Sequence, residues 1–132
     1  MTLRWYSIVV DSHDVNALAA WWGETLSWPV VFEADGEAVI SPPFAQEQPT
    51  SDTPVVERWP GLCFVSVDDE KTVKNRLHID LSPGPGEDQQ AAVDALLRRG
   101  ATLADVGQGA EVGWVVLRDP EGNEFCVLSP RE

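Results

Sequence analysis

Hydrophobic and polar residues alternate strictly from Asn75 to Leu81, which predicts a strand over 75–82 with one face on a core. Leu77, Ile79 and Leu81 fall on the apolar face; Arg76, His78 and Asp80 fall on the other. Three ionisable side chains of three kinds on one sheet face mark the wall of a site more than a solvated surface. Elsewhere the pattern predicts a strand over 3–11, then a helix over 15–26. That helix has Asp14 as N-cap and Val15, Leu18, Ala19, Trp22 and Leu26 at helical spacing. Pro29 ends it. Val30–Glu33 and Ala38–Ile40 read as strands joined across Asp35-Gly36, a hairpin signal, and 61–68 reads as a fourth strand.

The second half repeats this order. The strand over 75–82 leads through Pro83-Gly84-Pro85-Gly86 to a helix capped near Glu87 or Asp88, with Val93, Leu96 and Leu97 as its buried stripe. Arg98 and Arg99 occupy its last turn, where cations suit the helix dipole, and Gly100 is its C-cap. Strands follow over 101–106, 113–118 and 124–129, the last two joined by the turn Asp119-Pro120-Glu121-Gly122-Asn123. Each half reads strand, helix, three strands, giving one domain over 1–132 with a first module over 1–69 and a second over 75–132. The proline-rich Pro42–Pro60 segment, with Phe44 and Trp59, exceeds the usual connection length and is either a lid or an excursion.

Composition narrows the partners. The chain has 132 residues, enough to bury roughly two thirds of its unfolded surface in one core. With 22 acidic and 9 basic residues its net charge is −13, which repels phosphate backbones and excludes nucleic acid as an expected partner. The same charge serves either solubility alone or, in the sharper reading, the attraction of cationic ligands. No apolar run reaches about 18 residues, so no membrane span is expected. The first residues read as a strand and not as a basic, then apolar, leader, so a cytoplasmic location is expected. In that compartment Cys63 and Cys126, both in strand-like runs, are expected to be thiols.

The doubled βαβββ order, ending in Asp119-Pro120-Glu121-Gly122-Asn123-Glu124-Phe125, resembles the vicinal oxygen chelate superfamily. That superfamily includes glyoxalase I, bleomycin resistance proteins, extradiol dioxygenases and fosfomycin resistance enzymes. The run Asn75–Leu81, with Ala17-Leu18-Ala19-Ala20-Trp21-Trp22 and Leu26-Ser27-Trp28, looks like the glyoxalase-like subgroup. Ser27 departs from it, standing where that family usually has Gly. The resemblance implies an α+β fold in which paired βαβββ modules form a curved mixed sheet around a concave cavity. It also implies a homodimer.

Metal-dependent members of the superfamily place one ligand on the first and last strand of each half, drawn from His, Gln and Glu. By motif those four positions fall here on Ser7, Val65, His78 and Cys126. A register slip of one puts Ser66 in place of Val65. This is a poor set for an oxygen-chelating metal, so neither a metal nor another cofactor is expected.

Three uses are open to His78: a metal ligand, a general base or hydrogen-bonding cavity residue oriented by Asp80 or Arg76, or a structural histidine. Cys126 beside it raises a Cys-His nucleophile, but nothing in the flanking sequence activates the thiol. Glu124 shares the Cys126 face and is a rim charge or a cavity acid. His13 is a loop or cap residue. Trp21 and Trp22 belong to the first helix and its packing, whereas Trp5 and Trp114 fall on strand faces and are candidates either for packing or for stacking flat ligands in the implied cavity.

Two functions follow. One is a metal-independent protein that binds a small cationic or aromatic molecule, as bleomycin resistance proteins do. The other is an enzyme, a lyase or dioxygenase-like member that is metal-dependent or uses His78 as acid and base. The ligand-contacting candidates are Trp5, Ser7, Val65, Arg76, His78, Asp80, Trp114, Glu124 and Cys126.

Overall fold

The computed structural model describes residues 3, 5–44, 60–105 and 113–130, which fall into two compact units, Met1–Asp69 and Glu70–Glu132. In the first unit come β1 (Ser7–Ser12), α1 (Val15–Leu26), β2 (Val30–Ala34), β3 (Glu37–Ile40) and β4 (Gly61–Ser66). Their sheet order is β1-β4-β3-β2, with β1 and β4 parallel and the other pairs antiparallel. In the second come β5 (Ile79–Leu81), α2 (Gln89–Arg98), β6 (Thr102–Leu103), β7 (Val115–Arg118) and β8 (Glu124–Val127). Their order, β5-β8-β7-β6, repeats the first, again with its outer pair β5 and β8 parallel. The expected βαβββ doubling is therefore present, each unit contributing a four-stranded mixed sheet and a helix after its first strand.

The first unit follows its sequence pattern closely. The Asp14 side chain accepts from the Ala17 N–H at 3.1 Å, and the helix buries Val15, Leu18, Ala19, Trp21 and Trp22. It lies against β2, β3 and β4, where Ala38 pairs across from Phe64 and Ile40 from Leu62. Burying side chains the size of Leu18, Ile40 and Phe64 contributes on the order of 2 kcal/mol each. Gly23 sits inside this helix because a Cβ there would stand 2.9 Å from the Trp28 carbonyl oxygen. The same turn closes the helix, as the Trp28 N–H donates to Gly23 O and the Ser27 N–H to Glu24 O. Ser27 takes the left-handed conformation this closure needs, with φ 56°, and is the one non-glycine residue to do so among those described.

β1 begins at Ser7 rather than Leu3, and Trp5 and Tyr6 ahead of it are exposed. β4 ends at Ser66, two residues short of the expected end. Most of the Pro42–Pro60 segment, including Trp59, lies outside the described residues. At the end of α2, Ala101 N–H donates to Leu96 O and Gly100 N–H to Leu97 O, so Arg99 is the cap and Gly100, at φ 106°, the left-handed residue after it. The cap therefore lies one residue before the expected Gly100.

The largest departure lies in the alternating run that looked most regular. Only Ile79–Leu81 pair as a strand, and Leu77 is 90% exposed instead of facing a core. The physical reason is a competing partner for the backbone: Asn75 donates its N–H to the Glu124 carboxylate at 3.1 Å and its side-chain amide to the Glu124 carbonyl at 3.3 Å. These bonds fasten the chain to the start of β8 without a ladder. β6 is likewise reduced to two residues, and Trp114 stands just before β7 rather than within a strand. No helix among the described residues is long and apolar enough to cross a membrane.

Candidate functional site

β8 is the keel of the second unit. It runs between β5 and β7, and all four of its residues are buried. The turn before it is organised by the buried Asp119, whose Oδ1 accepts the N–H groups of Glu121 and Asn123 at 2.9 and 3.0 Å. The Asn123 amide donates to Asp119 Oδ2 at 3.0 Å, and Gly122 meets the turn's need for positive φ. This fixes where β8 starts, and so the directions of Glu124 and Cys126.

Glu124 is 5% exposed yet charged, because Lys71 meets both carboxylate oxygens at 2.5 and 2.9 Å and the Asn75 N–H adds a third donor. Burial pushes its carboxyl pKa up. The Lys71 hydrogen bond, the Asn75 N–H and the charges of Lys71 and Arg118 outweigh this and hold it below the ordinary value. Lys71 also donates to the Val73 carbonyl, so one ammonium folds the 71–75 segment against β8.

Above that clamp a cleft of about 370 Å³ opens in the second unit. Its polar wall holds His78, Asp80, Lys74 and Glu124, and its apolar wall holds Trp114, Val116, Phe125 and Leu128, with Cys126 at the floor. His78 Nε2 lies 3.0 Å from Asp80 Oδ1, both side chains roughly half exposed. Asp80 stands directly across from Cys126 in the β5–β8 register. Burial pushes the Cys126 thiol pKa up, the Asp80 charge and hydrogen bond add to this, and Lys74 opposes it. The resting thiol is therefore protonated and a weak nucleophile. Cys126 also packs with Val116 and Ala104, with Leu128 against them.

Of the sequence candidates, His78, Asp80, Trp114, Glu124 and Cys126 thus meet in one cleft. Arg76 is exposed and does not line it; the histidine's carboxylate partner is Asp80. Trp5, Ser7 and Val65 belong to the first unit, where Ser7 pairs across from Gly61 and Val65 from Asp11. Four registers, about 13 Å along the sheet, separate those last two positions. Val65 has no donor atom, so the first unit offers no ligand pair for the metal quartet the resemblance implies. That group does not fit these residues.

Sequence reading missed Lys71, Lys74 and Asn75. The available signal was two lysines, among only nine basic residues, close behind Asp68-Asp69-Glu70 and ahead of a glutamate placed on a central strand. Cys63, in the first unit, is a half-buried free thiol donating to Glu37 Oε1 at 3.3 Å, and burial with the Glu37 contact raises its pKa.

Two mixed four-stranded sheets of repeated order, each carrying one helix, with a cleft against the second, define a glyoxalase/bleomycin resistance type of fold. Residues 7–128 match the model of the glyoxalase-like domain, and the chain belongs to that family. It is similar in structure to a glyoxalase/bleomycin resistance protein/dioxygenase family enzyme from Burkholderia phytofirmans, at TM-score 0.70 and 14% identity over 98% of this chain and 100% of that one. It is also similar to a genomically encoded fosfomycin resistance protein from Listeria monocytogenes, at TM-score 0.68 and 12% identity over 99% and 94% of the two chains. A third likeness is to a glyoxalase/bleomycin resistance protein from Albidiferax ferrireducens, at TM-score 0.57 and 15% identity over 96% and 98%. Among curated proteins no sequence matches. Likeness at these identities establishes the fold alone.

Proposed function

We propose that this protein binds a small cationic, aromatic molecule in the cleft of its second unit, without a metal. The observation that carries the reading is the pairing of an exposed carboxylate, Asp80, with the 41%-exposed ring of Trp114 on opposite kinds of wall in one cleft of about 370 Å³. That volume suits a drug-sized molecule. A flat cation stacks on the indole face and presents donors to Asp80, beside the His78 ring. The net charge of −13 raises the local concentration of such ligands. The reading includes a cytoplasmic homodimer.

The test is tryptophan fluorescence in the presence of a chelator, with metal-free bleomycin and a panel of planar aromatic amines as probes. Binding should weaken as salt rises, and Trp114→Ala and Asp80→Asn should each cost about tenfold in affinity. A panel that produces no response from the wild-type chain removes this reading.

A second reading is favoured by one distance. His78 Nε2 lies 3.0 Å from Asp80 Oδ1, a carboxylate-oriented imidazole of the kind a general base requires. In an acid–base enzyme His78→Ala abolishes turnover of a bound substrate while leaving binding largely intact.

A further inference from the structure

Lys71 and Lys74 are the only two lysines in the chain, and the fold brings both to the cleft of the second unit. Their positions there differ. Lys71 is committed to Glu124, whose carboxylate also takes the Asn75 N–H and which stands across from Arg118 in the β7–β8 register. That acid lines the cleft, yet its charge is already answered from within the protein. The cleft wall has two further charges, both on exposed residues: the ammonium of Lys74 and the carboxylate of Asp80.

Each of these has capacity for a ligand. Asp80 meets His78 through Oδ1, and a carboxylate accepts through both oxygens. Lys74 donates to the carbonyl of its neighbour Asn75 at 3.3 Å, which uses one of an ammonium's three N–H bonds. Both charges reach the cleft floor, where Asp80 raises the Cys126 thiol pKa and Lys74 lowers it. An anion and a cation thus flank one floor beside the ring of Trp114. A purely cationic ligand satisfies Asp80 and is repelled by Lys74. A purely anionic one has the opposite difficulty, and approaches against a net charge of −13. A molecule with one group of each sign pairs with both.

From this arrangement we infer that the cleft takes a zwitterion, a flat aromatic molecule whose ammonium is held by Asp80 and whose carboxylate is held by Lys74. The inference rests on the binding reading above and narrows it to a ligand class. A carboxylate suits this wall better than a phosphate, because one ammonium in an acidic chain does not balance a dianion. Lysine suits it too, since a point charge on a flexible four-carbon stem meets an oxyanion at more than one spacing from Asp80.

Two matched probe sets test this by calorimetry and, for weak binders, ligand-observed NMR. One set is tryptophan, tryptamine and indole-3-propionate; the other is 4-(aminomethyl)benzoate, benzylamine and 4-methylbenzoate. They place the two charges on one carbon and at opposite ends of a ring. In at least one set the zwitterion should bind the wild-type chain about tenfold more tightly than its amine, the worth of one charge-assisted hydrogen bond. Lys74→Gln should reduce that advantage to within about twofold, and Lys74→Glu should reverse it in favour of the amine. Both change an exposed side chain outside every described helix and strand, so they retain the fold, checked by circular dichroism. Amines that bind as tightly as their zwitterions in both sets, or an advantage that survives Lys74→Gln, overturn the zwitterion and leave the binding of cations standing. A wild-type chain that binds no amine and no zwitterion, or binds the bare acids best, removes the binding reading and this inference with it.

Discussion

Lys71 places its ammonium 2.5 and 2.9 Å from the two carboxylate oxygens of Glu124, a residue that is almost wholly buried at the start of the central strand. This pair takes the place of strand pairing along 71–78 and carries the chain to His78. Removing Lys71 leaves a buried carboxylate with only the Asn75 N–H in direct support. Lys71→Met should therefore destabilise the protein by about 2–3 kcal/mol, somewhat less than a fully buried pair because Lys71 is partly exposed. Urea denaturation measures it. A loss under about 0.5 kcal/mol would place the pair among ordinary surface ion pairs.

The same pair gives stability a direction in pH. Glu124 titrates below its ordinary value of 4.5 in the folded protein, so the unfolded chain binds its proton first as pH falls. The stability it contributes is complete above the unfolded value and is lost as pH drops through that value toward the folded one. Between about pH 5 and pH 3 the urea midpoint of the wild type should fall more steeply than that of Glu124→Gln, both in chelator. Parallel slopes would show that Glu124 titrates alike in the folded and unfolded chains.

Ser27 carries a strained conformation for the sake of the α1 closure. At φ 56° its Cβ crowds the following carbonyl, a cost glycine does not bear. Ser27→Gly should raise stability by about 0.5–1 kcal/mol and the melting temperature by about 3 °C. Calorimetry checks this; an unchanged or lowered melting temperature means the serine side chain offsets its strain.

What sequence could read here was whatever is local. α1 was legible to the residue, because a cap, a stripe and a following proline are all short-range signals. The Asp35-Gly36 hairpin was legible for the same reason. The run at Asn75–Leu81 misled because alternation reports which way side chains point, not where backbone donors go. Asn75's donors go to Glu124, 49 residues later, and no spacing rule reaches that far. His78, Asp80, Trp114, Glu124 and Cys126 were found as chemically loaded residues on strand faces. That Asp80, and not Arg76, meets the histidine needed the β5–β8 register, which is a tertiary fact.

Because every residue of β8 is buried, the strand that floors the cleft is tightly packed along its whole length, with Phe125 and Val127 at least as enclosed as Cys126. A change of volume there is felt throughout the unit. Divergence toward new ligands is thereby channelled to the half-exposed rim, to Trp114, Lys74 and His78, where a substitution alters what the cleft accepts at little cost to folding. The keel strand constrains the protein's evolution while its rim keeps that evolution open.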